Sequence, residues 1–262
     1  MRYFLLVLFL VLIPAALAAA PTVDTVTVTD PVNLNAGSTK TVTCEATVSD
    51  ADGWANITVV NATIWHSSST EASADDNNDH YTDVSCDIGT NTSETDAPVT
   101  CTFALQYYAK DGTWTCKIRA HDDSSSGSNE TTTTVNELVA LSAPATMNFG
   151  SLSLGDTSTN TTEVEFSMEN KGNVQIDAQV SGNNMTCASG TISVGNVRYS
   201  SADNTSYDLM TVLTASAVTF DLNITKSTGS ASSVTTYWRI QIPDSGVGGS
   251  CNNTITFTAV SG

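Results

Sequence analysis

The sequence predicts an all-β protein: two tandem β-sandwich domains behind an N-terminal signal peptide. Three observations predict it. Apolar and polar residues alternate with period two almost throughout the chain after residue 20, with no convincing stretch of helical 3.6-residue periodicity. Six cysteines, Cys44, Cys86, Cys101, Cys116, Cys187 and Cys251, form an even set without a CxxC pair, which points to disulfides and away from zinc or thiol redox centres. With 262 residues the chain is long enough for two domains of ordinary size. The expected bounds are 1–20 for the signal peptide, 21–141 for the first sandwich, 142–145 for a linker and 146–262 for the second sandwich.

The leader "MRYFLLVLFLVLIPAALAAA" carries one basic residue, Arg2, then an apolar core from Tyr3 to Ile13 and a run of small residues after Pro14. Ala16-Leu17-Ala18 fits the small-x-small rule, with cleavage after Ala18 or Ala19. Read instead as an anchor, an apolar stretch broken by proline is marginal for spanning roughly 30 Å of hydrocarbon. No later segment is apolar enough to span. Export places the cysteines in an oxidising compartment, outside the cell or at its surface. Nine Lys and Arg against 27 Asp and Glu leave a net charge of −18, which a phosphate backbone would repel, so nucleic acid is excluded as a partner. Only 14% of residues are charged, too few for an acidic disordered tail; Ser, Thr and Asn make the polar surface.

In "TVTCEATVS", Val42, Cys44, Ala46 and Val48 point one way; in "TWTCKIRAH", Trp114, Cys116, Ile118 and Ala120 do the same. Cys44 and Cys116 therefore lie on inward faces of different strands, well placed to bond across a core. With "DGTWTCKIRAHD" followed by "TTTTVNELVAL", residues 22–141 resemble an immunoglobulin-like domain. The resemblance implies a bridge between the second and sixth strands. Trp114 stands where that family often has a corner tyrosine, and Trp54 lies nearer Cys44 than the usual core tryptophan. Cys86 and Cys101 remain to clamp "DIGTNTSETDAPVT" into a loop, although four cysteines allow three connectivities. Loop entropy assigns about 4 kcal/mol to the long bridge and about 3 to the short one.

Beyond "LSAPA", the stretch "TEVEFSMENKGNVQIDAQV" reads as a hairpin. Val164, Phe166 and Met168 face in, the turn is Asn170-Lys171-Gly172-Asn173, and Val174, Ile176, Ala178 and Val180 face in again. "VTFDLNI", "TYWRIQIP" and "NTITFTAV" supply further strands, and Cys187 and Cys251 are this half's pair. "FGSLSLG…ENKGN…YWRIQIP…CNNTITFTAV" is similar to β-sandwich modules of archaeal and bacterial envelope proteins.

No catalytic motif is present. The three histidines, His66, His80 and His121, form no HExxH pair, and there is no G-x-S-x-G elbow or phosphate-cradling glycine pattern. The expectation is no enzyme and no cofactor beyond a structural calcium ion. For that ion, Asp50 and Asp52 follow one cysteine strand and Asp122 the other, so all three can reach one pole; an ordinary Asp/Gly turn is the alternative. N-glycosylation sequons fall at Asn56, Asn61, Asn91, Asn129, Asn160, Asn184, Asn204, Asn223 and Asn252. A bulge at Val59-Val60 would turn both Asn56 and Asn61 outward. Strand phase puts Trp65 and Tyr108 on outer faces.

The leading expectation is a noncatalytic secreted or cell-surface structural or adhesive protein, a surface-layer component or filament subunit whose partners are other surface proteins or its own copies. In a filament, "PTVDTVTVTD" would pair with a neighbour's sheet edge. The alternatives are a carbohydrate-binding module, stacking sugars on Trp65, Tyr108 or Trp54, and a secreted enzyme with an unrecognised site.

Overall fold

The computed structural model describes residues 19–262; the expected signal peptide, residues 1–20, lies outside the described residues apart from its last two positions. The first sandwich is built from β1 (Thr22–Val23), β2 (Thr27–Val28), β3 (Lys40–Ser49), β4 (Val59–His66), β5 (His80–Asp83), β6 (Asp87–Ile88), β7 (Asp96–Leu105), β8 (Gly112–His121) and β9 (Ser126–Val135). One sheet runs β1-β3-β7-β6, with β2 also on β3, and the other runs β5-β4-β8-β9. This is the strand order of an immunoglobulin-like sandwich with one extra edge strand. Alternation explains it. In β8, Trp114, Cys116, Ile118 and Ala120 are buried while their neighbours are not, and in β3, Val42, Cys44 and Val48 meet them from the opposite sheet.

All six cysteines are paired: Cys44 with Cys116 between the sheets, Cys86 with Cys101, and Cys187 with Cys251. Trp114 fills the space beside the first bridge, and its indole N–H donates to the Lys110 carbonyl at 2.8 Å. A tryptophan thus makes the backward bond to the chain that a corner tyrosine makes in the family.

Two local expectations are corrected. The β4–β8 register runs unbroken from Val59↔His121 to His66↔Trp114, so there is no bulge at Val59-Val60. A short 3-10 turn, Trp54–Asn56, ends at Ile57 and the strand begins at Val59, so buried Ile57 lies outside the strand and need not follow its alternation. The segment from Pro21 is not free either, since β1 and β2 pair with β3 of the same chain and Val23 and Val26 are buried.

The second sandwich has its own apolar core. It comprises β10 (Leu141–Ser142), β11 (Val164–Asn170), β12 (Ile176–Gly182), β13 (Met185–Ser189), β14 (Thr191–Ile192), β15 (Val197–Ser200), β16 (Thr211–Val212), β17 (Val218–Ile224), β18 (Ser233–Ile240), β19 (Gly248–Asn252) and β20 (Ile255–Ser261). One sheet is β10-β11-β18-β15-β16; facing it are β17-β12-β20 and its neighbour β14-β13-β19. The expected hairpin is therefore a crossing between sheets. β11 pairs with β18 and β12 with β17 and β20, so Phe166 and Met168 meet Ile176, Ala178 and Val180 across the core. Buried Asn170 forms this corner: its amide donates to the carbonyls of Val174, Ile224 and Thr225, and its Oδ1 accepts the Gly172 N–H.

Candidate functional site

β3 and β8 each end five residues after their cysteine, and both ends reach the same pole of the first sandwich. There the carboxylates expected to hold calcium go separate ways. Asp50 is buried (2% exposed); its Oδ1 accepts the Asp52 N–H at 2.8 Å and its Oδ2 has no hydrogen-bond partner. Asp52 is exposed and its Oδ2 accepts the Ala19 N–H at 2.8 Å. Asp122 closes its own turn, accepting N–H groups from Ser124 and Ser125 and both their hydroxyls. The Ser124 backbone bond, helped by the Ser125 bonds, holds its carboxyl below the usual range. Among the described residues, one set of three or more potential metal-ligating side chains lies within 4.8 Å: Asp83, Cys86 and Cys101. Both its sulfurs are in a disulfide, and Asp50, Asp52 and Asp122 do not form such a set.

The loop from Ser67 to Asp79 folds over the outer face of the β5-β4-β8-β9 sheet. Glu71 takes the Arg119 Nε–H at 2.7 Å and lies 3.2 Å from the Lys117 ammonium. Burial works against its charge, but Arg119 and Lys117 outweigh it and leave the carboxyl below its ordinary value. Beneath the loop His80 is buried, with Nδ1 2.8 Å from Asp75 Oδ1 and Nε2 3.1 Å from the Glu71 carbonyl.

The one hydrogen bond between a serine hydroxyl and a histidine ring among the described residues joins His66 Nδ1 and Ser68 Oγ at 2.8 Å. The same Nδ1 accepts the Ser68 backbone N–H at 3.0 Å, so its single in-plane lone pair is shared, as suits a turn better than a general base. Burial, and after it Lys110, holds the His66 pKa below the ordinary histidine value.

Of the three aromatic platforms, Trp65 and Trp54 are half-buried. Tyr108 is turned inward, contrary to its expected outer position, because the β7–β8 turn that carries it packs against the second sandwich. The sequons sit on the surface: all but Asn61 are exposed, and Asn61 is half-buried with its amide 3.3 Å from His121 Nε2. Asn160 and Asn204 are hydrogen-bonded to each other, Nδ2 to Oδ1, at 2.8 Å.

The junction between the sandwiches had no signal in the sequence. Asn173 is 1% exposed; its Oδ1 accepts the Leu138 N–H at 2.6 Å and its amide donates to the carbonyls of Ala109 (3.0 Å) and Asn136 (3.1 Å). Gly172 lies flush on Leu138, where a Cβ would fall 1.9 Å from the carbonyl oxygen. The Lys226 ammonium donates to Asn78 Oδ1 at 2.8 Å and the Tyr108 carbonyl at 3.3 Å; burial, and then Lys110, keeps its pKa below the usual lysine value. At the start of the expected linker, Leu141 and Ser142 pair with Asn170 and Glu169 of β11, so the chain is already tied to the second sandwich there.

No protein-family model and no curated protein sequence matches the chain. Among solved structures, the major fimbrial subunit AggA of Escherichia coli aligns over 45% of this chain and 95% of its own at 13% identity, with a TM-score of 0.19. The C-terminal domain of BspA, an AgI/II polypeptide from Streptococcus agalactiae, aligns over 92% and 96% at 12% identity (TM-score 0.25). A membrane-anchored protein described from Corynebacterium diphtheriae aligns over 93% of this chain and 55% of its own at 12% identity (TM-score 0.25). Chain traces this loosely alike carry no functional reading.

Proposed function

We propose that the chain is a noncatalytic structural or adhesive protein of the cell surface, a two-sandwich arm whose modules are held in line and which works by contact with other surface proteins or its own copies. One observation carries the reading: the junction made by Asn173, Gly172 and Lys226. Tandem modules that only needed connecting could be joined by a loose tether, whereas this pair is locked through buried and part-buried hydrogen bonds at Asn173 and Lys226. A fixed spacing matters to a scaffold. Three disulfides and surface-lying sequons support an exported setting.

The test is to fractionate producing cells and follow the chain by immunoblot, with thiol labelling before lysis. The reading expects envelope or extracellular material with all cysteines oxidised and no turnover in broad hydrolase screens. Cytoplasmic recovery with free thiols, or a turnover abolished by Ser68→Ala, would overturn it.

A further inference from the structure

The second sandwich is open along one side. β20 pairs with β12 without interruption, from Gly182↔Ile255 to Ile176↔Ser261. Among the described residues, no backbone hydrogen bond reaches its other edge. Behind that edge lies a groove of about 1160 Å³ with Met147, Phe149, Leu152, Ile242, Ile255 and Phe257 in its lining. Residues 144–152 lie across it, and none of them makes a backbone hydrogen bond to a strand. Phe257 stacks on Phe166 at 5.2 Å between ring centres yet stays half-exposed.

The other sheet edges are guarded. β1, β2, β6, β10, β14 and β16 have two residues each, and β5 has four. β9 carries Glu130 and is bonded along its outer edge by the segment from Asp24 to Val32. β17 carries Asp221 and meets an irregularity between Ile176 and Ala178; β19 meets one between Cys187 and Ser189. Charges, bulges, short length and covering strands are the usual means of preventing edge-to-edge pairing, and "ITFTAVS" has none of them.

We infer that this edge pairs, antiparallel, with the same edge of a second copy, joining two three-stranded sheets into one of six and closing both grooves. Charge selects the occupant. Two copies, each at −18, repel over most of their surfaces, yet no Asp, Glu, Lys or Arg lines the groove and none lies on β20. A like copy meets no like charge there. The inference takes the contact role proposed above and names its partner.

Thr256 and Thr258 are exposed and point away from the core, so they tolerate substitution and would oppose their counterparts across the new pair. Sedimentation velocity on the intact chain would compare the natural protein, Thr256→Lys/Thr258→Lys and Thr256→Asp/Thr258→Asp. The natural chain is expected to dimerise reversibly at about 10–100 μM, since seven residues a side is a small interface. Each variant should weaken dimerisation at least tenfold, and a 1:1 mixture of the two should restore it, which also shows that both are folded. If overall charge ruled instead, the Lys form, at −18 + 2 = −16, would associate more readily than the natural chain. That result overturns the inference. So does a natural chain monomeric at about 1 mM, whether or not its groove takes up an apolar dye. A monomer that still fractionates with the envelope would remove the edge pairing and leave the surface role standing.

Discussion

Replacing Asn173 with alanine separates alignment from folding. The side chain makes three hydrogen bonds, to the Leu138 N–H and to the Ala109 and Asn136 carbonyls. Asn136 is exposed and its carbonyl can turn to water, but Ala109 is buried and Leu138 half-buried. A buried group left unpaired costs about 1–3 kcal/mol, so two such losses amount to about 3 kcal/mol once some water enters. For a chain of this size that lowers the thermal midpoint by about 6–12 °C if both sandwiches unfold together. Calorimetry should show this fall, or a split into two transitions, and small-angle scattering should show a wider spread of maximum dimension. Asn173→Asp should do at least as much damage, because its second oxygen would face two carbonyls. An unchanged scattering curve and transition in Asn173→Ala would refute the idea that this amide aligns the modules, and an Asp variant as stable as the natural chain would show that the donated bonds contribute nothing.

Removing the inter-sheet bridge by Cys44→Ala/Cys116→Ala should cost about 4 kcal/mol in urea unfolding from a loop of 72 residues, against about 3 for Cys86→Ala/Cys101→Ala; equal stability with and without the long bridge would contradict this. Glu71 has a lowered pKa, so its pairing with Lys117 and Arg119 stabilises the loop above the ordinary value of 4.5 and is lost as pH falls through the lowered value. The Arg119 Nε–H resonance should move over that acid range; a flat titration would show that the ion pair does not hold the loop. Glycopeptide mapping should rarely find Asn160 and Asn204 occupied on one molecule, because the two side-chain amides lie 2.8 Å apart and two glycans would crowd the same space. Frequent double occupancy would count against this.

Strand phase was legible wherever one residue type had to face inward. Cys44 and Cys116 sit on apolar faces in the letters and in the folded sheets alike. Sheet membership was not, because an inward face looks the same whether its neighbour in sequence lies beside it or across the core; hence the hairpin expected for β11 and β12. The shift of phase at Val59-Val60 was real, but a 3-10 turn and a bulge leave the same mark on alternation. Asp50, Asp52 and Asp122 were placed at one pole by strand direction alone, and direction says nothing about whether carboxylates turn towards one another or back into their own turns. The burial of Tyr108 and Asn173 could not be read, since what covers each is a surface from the other half of the chain.

The two long disulfides also set how far the arm can stretch under load. The spans Cys44–Cys116 and Cys187–Cys251 cover 72 and 64 residues, roughly 250 Å and 220 Å of extended polypeptide at about 3.5 Å per residue. While the bridges hold, tension applied at the ends of the described chain cannot release that contour length, even after every strand has come apart. What can pay out is the chain before Cys44, between Cys116 and Cys187, and after Cys251. Pulled from its ends, the oxidised chain would therefore stop short, and reducing the bridges would more than double its reach.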